Sequence, residues 1–555
     1  MKKKLFTLLV LALCVLSFPA FAAAAENTLK VGLYYGSGAL ASANLQNEVG
    51  SGYTLGWFDE STRDFNAVGF INDEEKITVT VNCGYHVQIE DEFASFEEAK
   101  FVADQFRTGF VCYLNNAYRV RVNTFETAAE AETAAATYAT YVWYDTQGGV
   151  HSFLGFATSP SATGVSVIIT NTNKILFEFD CSGAKSLGIL PADGVEGALT
   201  WFSGYKWYGG FEYRRSTGGN INVINVVDLE DYVKGVLPEE MEPSWNLEAL
   251  KAQAVCARTY ALTYLLTQTK HYKSYKFDVC NEVDCQVYKG VRKANDITNQ
   301  AAEETRGIIL TCEGKIATAY YYASNGGASE SSENVWTSSL PYLVGKIDPF
   351  EETITIPGYS YTETYTFDQL TQIMQSKDKN IGTINGVYVS KTSPTGNAIE
   401  VTFTDTDGKT LVVKGEECKR IFYTTLFGKT KSIKSMHFTI SGGENANNYF
   451  VNDTSTRIHT VSGAYTISGN GTIDEYTGGD TYVITSNGTE KLTQNTDLSD
   501  GAGITITGKG SGHNVGMSQY GAQAMARLGY NYEDILNFYY TGISLERIED
   551  FIENA

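Results

Sequence analysis

The pattern of apolar and polar residues predicts strands along much of the chain. Alternating runs at 29–33 and 77–81 are typical of half-buried strands separated by Gly and Asn turns. From about residue 150 to Val227 the chain is again rich in such runs. Residues 440–507 combine short alternating runs with many Thr, Gly, Asn and Tyr residues. We therefore expect an N-terminal β-rich segment at 26–81 and a β-rich insertion or lobe at about 440–507.

A doubled pattern occupies residues 82–142. A strand-like run at 85–89 is followed by FASFEEA at 93–99, and a second run at 118–122 is followed by TFETAAEA at 124–131. Each half alternates like a strand and then turns into an acidic, alanine-rich helix. Two such βα units are typical of a small ferredoxin-like layer.

Helical spacing is clearest after residue 227. Residues 228–232 open a helical stretch, and Asn246 is placed to cap a helix from Leu247 to about Gln268. Further helices are predicted at 518–528, ending before Gly529, and at 532–540. Helices and strands thus occur together, which predicts an α+β fold, and 555 residues are enough for two or three domains.

The N-terminus and the charge of the chain restrict its partners. Three lysines precede an apolar run at 5–18 that is too short to span a bilayer, and alanines follow, which predicts a signal peptide at 1–25 and export. The chain has 64 Asp and Glu against 42 Lys and Arg, for a net charge of −22. Such acidity argues against nucleic acid and anionic lipid as partners. A neutral glycan read by aromatic rings and hydrogen bonds fits better.

Glu240 is the first candidate for chemistry. It lies ahead of the helix that begins at Leu247, beside Met241 and Trp245. A carboxyl group against apolar neighbours loses solvation, so its pKa is expected to rise and it can donate a proton to a leaving glycosidic oxygen. By spacing alone, Glu239 and Glu240 are better explained as ordinary helix-start acids favoured by the dipole.

Two glycine-rich segments carry further polar groups. The segment GKGSGHNVGMSQYGA spans 508–522, and its glycines allow the backbone to approach a ligand closely. Its His513, Ser518 and Gln519 can bond sugar hydroxyl or acetamido groups, although a turn leading into a capped helix explains the segment equally well. A second segment, SNGGASESSENVW at 324–336, contains a glycine pair.

These segments, taken in order, resemble the stage II sporulation protein D and amidase-enhancer (SpoIID/LytB) family. The resemblance rests on Glu-Met at 240–241, LEALKAQAV at 247–255, ARTY at 257–260, CQVY at 285–288 and the two glycine-rich segments. It covers about 160–350 and 508–555, within a catalytic region predicted at 150–555. It implies that Glu240, the glycine-pair loop and the His513 loop surround one cleft.

The resemblance also implies an activity. Active family members are lytic transglycosylases, and the Glu before Met is their catalytic acid, which is Glu240 here. This residue would cleave between N-acetylmuramic acid (MurNAc) and N-acetylglucosamine (GlcNAc), with the C6 hydroxyl closing a 1,6-anhydro ring, so no second carboxylate is needed. The substrate-binding residues implied are Arg258, Tyr260, Ser324, Gly326, Gly327, Glu333, Trp336, His513, Ser518 and Gln519.

Two positions depart from the family pattern. Ala323 stands where the family usually has His, and Asn514 stands where it usually has Gly, although Asn tolerates positive φ. A non-catalytic wall protein that enhances an amidase is therefore the alternative, and a purely structural wall-binding protein is a third. The doubled pattern at 82–142 resembles the sporulation-related repeat (SPOR) domain, which implies binding of peptide-stripped glycan strands.

Cys280 and Cys285 leave three possibilities open. Some relatives bind zinc here, and His271 is the nearest upstream imidazole, with Asp284 as a further oxygen ligand. Export favours a disulfide instead, and two free thiols are the third possibility. A structural zinc is thus a possible cofactor, and the activity itself is expected to require none.

Overall fold

The computed structural model describes residues 27–72, 74–82, 84–192, 197–336, 338–442 and 503–554, together with six short strands between 449 and 492. Two compact units are present: Met1–Thr318 with Leu545–Ala555, and Ala319–Ser544. Both contain helices and strands, which confirms the α+β prediction. The predicted signal peptide at 1–25 lies outside the described residues, as does much of the segment at 440–507.

The first unit is built mainly from strands. They are β1 (Thr28–Tyr34), β2 (Ser42–Val49), β3 (Tyr53–Phe58), β4 (Phe65–Ile71), β5 (Lys76–Val81), β6 (Tyr85–Ile89), β7 (Gly109–Leu114), β8 (Ala117–Phe125), β9 (Val142–Tyr144), β10 (Val150–Ser152), β11 (Gly155–Ala157), β12 (Val165–Ile169), β13 (Ile175–Asp180), β14 (Leu187–Pro191), β15 (Leu199–Phe202), β16 (Tyr205–Trp207), β17 (Gly210–Arg215), β18 (Ile221–Asp228), β19 (Val279–Cys280), β20 (Ile308–Cys312) and β21 (Lys315–Ile316).

Two large sheets organise these strands. One has the order β19-β1-β18-β17-β14-β3-β4 and is antiparallel except where β1 meets β19. The other has the order β11-β6-β8-β7-β13-β12-β5-β2-β15-β16. The alternating runs at 29–33 and 77–81 form β1 and β5, as the sequence pattern predicts.

The doubled pattern at 82–142 forms one end of the ten-stranded sheet. Its helices are α1 (Phe96–Ala103) and α2 (Ala128–Tyr138), which give the chain order β6-α1-β7-β8-α2. The fourth strand, β11, lies beyond residue 142 and follows the β9-β10 hairpin. The spatial order β11-β6-β8-β7 is antiparallel throughout, which is a ferredoxin-like arrangement. Buried valines pair across it, with Val87 opposite Val122 and Val111 opposite Val120. The sheet continues beyond this layer, because β13 pairs with β7.

Four helices lie between β18 and β20 in the first unit: α3 (Leu229–Glu240), α4 (Leu247–Thr267), α5 (Tyr272–Tyr275) and α6 (Asp296–Glu304). The Asn246 side chain accepts a hydrogen bond from the Glu248 N–H (3.0 Å), and α4 ends at Gln268, whose φ is 50°. Both ends agree with the sequence prediction. Most of α4 is buried, and it packs against α3 and α6, so it is the central helix of this unit.

The second unit contains two three-stranded sheets and several short helices. Its elements are β22 (Tyr321–Tyr322), α7 (Ser332–Val335), β23 (Ser360–Thr366), α8 (Phe367–Ser376), β24 (Ile384–Thr392), β25 (Ala398–Asp405), β26 (Thr410–Lys414), α9 (Glu417–Arg420), β27 (Phe438–Ser441), β28 (Tyr449–Phe450), β29 (Arg457–Ile458), β30 (Tyr465–Ile467), β31 (Ile473–Glu475), β32 (Thr481–Thr485), β33 (Gly488–Leu492), β34 (Gly503–Lys509), β35 (Met517–Ser518), α10 (Gln519–Arg527) and α11 (Tyr532–Tyr539). The chain then passes through β36 (Ser544–Arg547) and α12 (Ile548–Asn554).

The core of the second unit lies between its sheets and α8. The sheets have the orders β23-β34-β27 and β24-β25-β26. Leu370, Val401, Phe403 and Ile506 are among the fully buried residues that join them. In the predicted insertion, the described strands β28 to β33 pair as three hairpins. Among the helices that the structure describes in either unit, none is long and apolar enough to cross a membrane.

Candidate active site

Glu240 is the last residue of α3 in the first unit. The sequence placed it ahead of a helix, and its explanation as a helix-start acid is wrong, because the residue closes a helix instead. Asp228 caps the other end of α3, and Pro238 lies within its last turn. A helix C-terminus carries partial negative charge, so the dipole opposes rather than favours a carboxylate here.

The loop after β19 holds the Glu240 side chain. The Val287 N–H donates a hydrogen bond of 2.6 Å to Glu240 Oε1. Tyr288, the next residue, packs its ring so closely on α3 that a Cβ at Gly235 would lie 2.4 Å from it. The Tyr288 hydroxyl donates to Asn225 Oδ1 (2.9 Å), which fixes the loop to β18. Glu240 is a partly exposed residue, and the bond from Val287 orients its carboxyl group.

Glu239 has a different environment from its neighbour. Its carboxylate accepts two hydrogen bonds from the Arg292 guanidinium, at 2.9 and 2.6 Å, and lies 3.3 Å from Lys293 Nζ. The Glu239 side chain is only 3% exposed. Glu239 is therefore held in an ion pair with two cations, which is a structural role.

The loop that holds Glu240 begins at a cluster of four potential metal ligands. His271, Cys280, Asp284 and Cys285 place one donor atom each within 4.8 Å of one another. Cys285 Sγ lies 3.4 Å from His271 Nε2, and the Cys280 N–H donates to Cys285 Sγ (3.2 Å). Both cysteines are free thiols in this structure. The four residues that the sequence analysis named as candidate ligands therefore lie close together in the structure.

The chemistry of this donor set fits zinc. Two sulfurs, one imidazole nitrogen and one carboxylate oxygen are ligands that Zn²⁺ accepts in a four-coordinate site. Hydrogen bonding from Cys285, with a smaller effect from His271, lowers the pKa of Cys280 to about 4, while the pKa of Cys285 is raised by its contact with Cys280 and by burial. One sulfur is therefore already a thiolate at neutral pH, and thiolate is the ligating form.

Arg258 and Tyr260 lie on α4, behind this loop. Arg258 is fully buried and donates to both carboxylate oxygens of Glu230, at 2.8 and 2.6 Å. This pair joins α4 to α3 and places Arg258 in the helical core. Tyr260 is buried, and its hydroxyl accepts a hydrogen bond from Lys270 Nζ (3.2 Å), which itself lies 3.4 Å from Asp284. Tyr260 is therefore close to the thiol cluster.

The glycine-pair loop and the His513 loop belong to the second unit, where Glu351 connects them. Glu351 Oε1 accepts hydrogen bonds from the Asn325 N–H (2.7 Å) and Ser518 Oγ (2.5 Å), and Oε2 accepts from Ser324 Oγ and the Gly326 N–H, both at 2.9 Å. Glu351 is 1% exposed, and burial raises its pKa. Three predicted sugar-binding residues thus share one buried carboxylate that sequence reasoning missed.

Asn514 joins the same two loops. Its φ is 66°, in agreement with the expectation that Asn replaces Gly at a position of positive φ. The side-chain amide donates to the carbonyls of Asn325 (2.8 Å) and Ala328 (3.1 Å) and accepts from the Met436 N–H (3.1 Å). Glycine could adopt this backbone conformation but could not make these three bonds, so the departure from the family pattern gives the loop additional anchors.

His513 packs among aromatic rings. Its ring centroid lies 5.1 Å from that of Tyr322 and 5.0 Å from that of Trp336, and its Nδ1 accepts from the Val515 N–H (3.1 Å). Desolvation, followed by the positive charge of Lys419, lowers the pKa of His513 to about 3. The imidazole is therefore neutral at ordinary pH and can act as a hydrogen-bonding group but not as a cation.

The remaining predicted residues are placed as follows. Gly326 and Gly327 both have positive φ, and a Cβ on Gly326 would lie 2.4 Å from the Lys509 carbonyl oxygen. Gln519 is buried at the start of α10, whereas Glu333 is exposed on α7. The structure brings Ser324, Gly326, Ser518, Trp336 and His513 together within one unit, and Glu240, Arg258, Tyr260 and the thiols within the other. A cleft around Glu240 and both loops stays a prediction.

The residues that sequence reasoning missed share a property. Each contacts a partner that is distant in the sequence. Glu230 binds Arg258, 28 positions away, and Val287 binds Glu240, 47 positions away. Glu351 binds Ser518, 167 positions away. Val287 contributes only its backbone N–H, which no residue type reveals. Glu230 and Glu351 stand in no motif, so composition and spacing gave no signal for either residue.

Comparison with known proteins identifies relatives of this chain. A family model described as "Stage II sporulation protein" matches residues 217–312, which contain α3, α4, the thiol cluster and Glu240. An uncharacterized protein of Brachyspira hyodysenteriae is 31% identical over 343 residues, or 62% of this chain and 73% of that protein.

Two relatives with descriptive names come from Bacillus subtilis. The amidase enhancer is 31% identical over 330 residues, 56% of this chain but only 40% of that protein. Stage II sporulation protein D is 26% identical over 342 residues, 59% of this chain and 76% of that protein. The chain belongs to the stage II sporulation protein D and amidase-enhancer family.

Proposed function

We propose that this protein is an exported lytic transglycosylase of the cell wall. Its substrate would be the glycan strand of peptidoglycan, cut between MurNAc and GlcNAc to leave a 1,6-anhydro-MurNAc end, with a role in sporulation suggested by the names of its relatives. Glu240 would be the general acid. Family membership supports a role in wall metabolism, and the environment of Glu240 supports this chemistry.

The contrast between Glu240 and Glu239 is the observation that carries the proposal. The Glu239 side chain is 3% exposed and is bound to two cations, which commits it to an ion pair. Glu240 is a partly exposed residue at the C-terminus of α3, and a backbone N–H orients one of its oxygens. A held, accessible carboxyl group is what proton donation to a leaving oxygen requires.

The reaction needs only this one group. Glu240 would give its proton to the GlcNAc O4 as the bond from that oxygen to MurNAc C1 breaks. The same carboxylate would then take the proton of the MurNAc C6 hydroxyl, whose oxygen bonds to C1 and closes the anhydro ring. Water is not consumed, and the Glu240 carboxyl group ends protonated as it began. Because the attacking hydroxyl belongs to the same sugar, much of the entropic cost of bringing nucleophile and C1 together is avoided.

The thiol cluster would hold the general acid in place. Cys285 is two residues before Val287, so a zinc ion held by His271, Cys280, Cys285 and Asp284 would fix the backbone that donates to Glu240. Such a metal would supply structural rigidity and take no part in the proton transfers.

A product assay tests the proposal. Purified protein and the Glu240→Gln variant are incubated with peptide-stripped glycan strands, and reducing and 1,6-anhydro ends are counted by mass spectrometry. We expect anhydro ends from the parent alone. Absence of anhydro product from the parent would falsify the enzymatic proposal, and equal product from both proteins would remove Glu240 from the mechanism.

A non-catalytic amidase enhancer is the second candidate function. One relative carries that name, and Ser324, Ser518 and Gly326 are committed to Glu351 inside the second unit, so fewer groups remain for sugar. Release of peptide from sacculi by a purified wall amidase, with and without this protein, tests it. A rate increase that the Glu240→Gln variant reproduces would favour this candidate.

The layer at 82–142 would direct the protein to its substrate. Its ferredoxin-like order agrees with the arrangement expected for a glycan-binding repeat, and an extracytoplasmic, wall-associated location follows if it binds there. Pull-down on intact and peptide-stripped sacculi checks this role. Equal retention of the protein on intact and peptide-stripped sacculi would exclude it.

A further inference from the structure

The second unit contains a basic cavity in an otherwise acidic protein. Its volume is ≈ 520 Å³, within the size range of small-ligand sites. Four of its eight lining residues are cationic, whereas the chain has 42 Lys and Arg among 555 residues and a net charge of −22. The lining consists of Lys377, Lys379, Glu417, Lys419, Arg420, Tyr423, Ser432 and Ile433.

Among the described residues, two of the four cations have no acidic partner. Lys379 pairs with Glu417 (3.2 Å) and Lys419 lies 3.4 Å from Glu416. In the described part of the chain, no carboxylate lies within ion-pair distance of Lys377 or Arg420; Lys377 Nζ instead donates to the Arg420 carbonyl (3.2 Å). Lys377 follows α8 and Arg420 ends α9, and cations are favoured at helix C-termini. The preference of helix C-termini for cations explains why residues 377 and 420 are basic. It does not explain why the ends of α8 and α9 meet at one cavity.

An exposed aromatic ring forms part of the same lining. Tyr423 is 53% exposed although it is a large side chain with an apolar face. An aromatic face beside hydrogen-bonding cations suits a sugar that carries an anionic substituent. The sugar ring can stack on the aromatic face while the anionic substituent pairs with the cations.

The cavity is joined to the His513 loop. Lys419 Nζ, which lines the cavity, donates to the Gly512 carbonyl (3.1 Å), one residue before His513. A ligand in the cavity would therefore lie beside the loop that family resemblance associates with glycan.

We propose that this cavity binds the lactyl carboxylate of MurNAc, with Lys377 and Arg420 pairing with the carboxylate and Tyr423 stacking on the sugar. This inference rests on the proposed function, since it concerns the same glycan. The lactyl group is free only where the peptide has been removed; in a peptide-bearing strand it is an amide without charge. The cavity thereby distinguishes peptide-stripped strands from intact ones.

Binding is measured separately from cleavage. The full-length Glu240→Gln protein is titrated calorimetrically with MurNAc, with GlcNAc, which has the same ring without the lactyl group, and with glycerol phosphate. We expect MurNAc to bind at least ~10-fold more tightly than GlcNAc, an effect that weakens with added salt because it is ionic. Equal affinities for MurNAc and GlcNAc, or tighter binding of glycerol phosphate, would overturn the assignment.

Variants locate the site. The double variant Lys377→Gln with Arg420→Gln should lose the preference for MurNAc, and Tyr423→Ala should weaken both sugars. Lys414→Gln is the matched control, because Lys414 is 70% exposed and lies outside the cavity. Unchanged binding in the double variant, with the parent's thermal unfolding curve, would exclude the cavity. If binding is unchanged in the double variant but the parent protein forms anhydro product, the cavity assignment fails and the proposed activity stands. If the parent forms no anhydro product but the protein prefers MurNAc to GlcNAc, the proposed activity fails and the cavity assignment stands.

Discussion

Glu240 lies in a motif of the first unit, and Glu351 binds two glycine-rich segments of the second unit. The environments of these two carboxylates differ. Glu351 is buried and accepts four hydrogen bonds from two loops. Glu240 is partly exposed, and the Val287 N–H orients it from a loop that begins at four potential metal ligands. A saturated, buried carboxylate stabilises structure, whereas an oriented, accessible one can exchange a proton with a ligand.

The largest expected effect is on activity. Glu240→Gln should lower the rate of anhydro-product formation by about 10²–10⁴-fold, the usual contribution of a general acid, with little change in thermal unfolding. Glu239→Gln is the matched neighbour and should retain most activity, because Glu239 serves an ion pair. A larger activity loss in the Glu239 variant than in the Glu240 variant would reverse the assignment of the two carboxylates.

Glu351→Gln should show the opposite behaviour. The amide nitrogen would face two hydrogen-bond donors in place of an accepting oxygen, so we expect the free energy of unfolding to fall by about 2–3 kcal/mol. Urea unfolding measures it. Glu352→Gln is the control, because that side chain is 66% exposed and should change stability by less than about 0.5 kcal/mol. Equal stability of the two variants would contradict the structural role of Glu351.

Removal of the thiol cluster tests whether Glu240 depends on its supporting loop. We expect one zinc per chain by mass spectrometry of metals, and Cys285→Ser or prolonged chelation should lower activity by about 10–100-fold, as is usual for groups that orient a reactive one. Cys312→Ser, a thiol outside the cluster, should leave zinc content unchanged. Purified protein without zinc would reject the metal site and favour the free thiols or a disulfide.

His513 predicts a pH dependence of stability. Its pKa is about 3 in the folded protein and 6.5 in the unfolded chain, so between these values only the unfolded chain carries the proton. Stability should therefore fall as pH is lowered from 6.5 towards 3, by about 1.4 kcal/mol per pH unit from this residue. Subtracting the urea-unfolding profile of His513→Gln from that of the parent isolates the effect. Parallel profiles for the two proteins would mean that His513 titrates normally.

The smallest expected effect concerns Asn514. Asn514→Gly and Asn514→Ala both lose three hydrogen bonds. Because a positive φ is strained for alanine but not for glycine, the alanine variant should be less stable than the glycine variant by about 1 kcal/mol. Thermal unfolding of the pair measures the difference. A more stable alanine variant would show that the loop relaxes out of this conformation.

Local features of the sequence were sufficient for the helices and the family. Asn246 caps α4, Gly529 follows α10 and the alternating runs form β1 and β5, because capping and periodicity depend on residues a few positions apart. The doubled pattern predicted a ferredoxin-like layer at 82–142, and three of the four strands in that order lie there. Its fourth strand, β11, lies beyond residue 142, and the pattern did not show that the sheet continues through β13. The motifs around Glu240 identified the family, since their residue types and spacing are read directly from the chain.

Tertiary structure alone decided the environment of each candidate. Glu239 and Glu240 are the same residue type at adjacent positions, and only folding brings Arg292 to one and the Val287 N–H to the other. The convergence of His271 with the two cysteines and the burial of Glu351 between two loops also depend on contacts distant in sequence. Sequence thus determined which groups are present, and packing determined which of them are neutralised, buried or left accessible for chemistry.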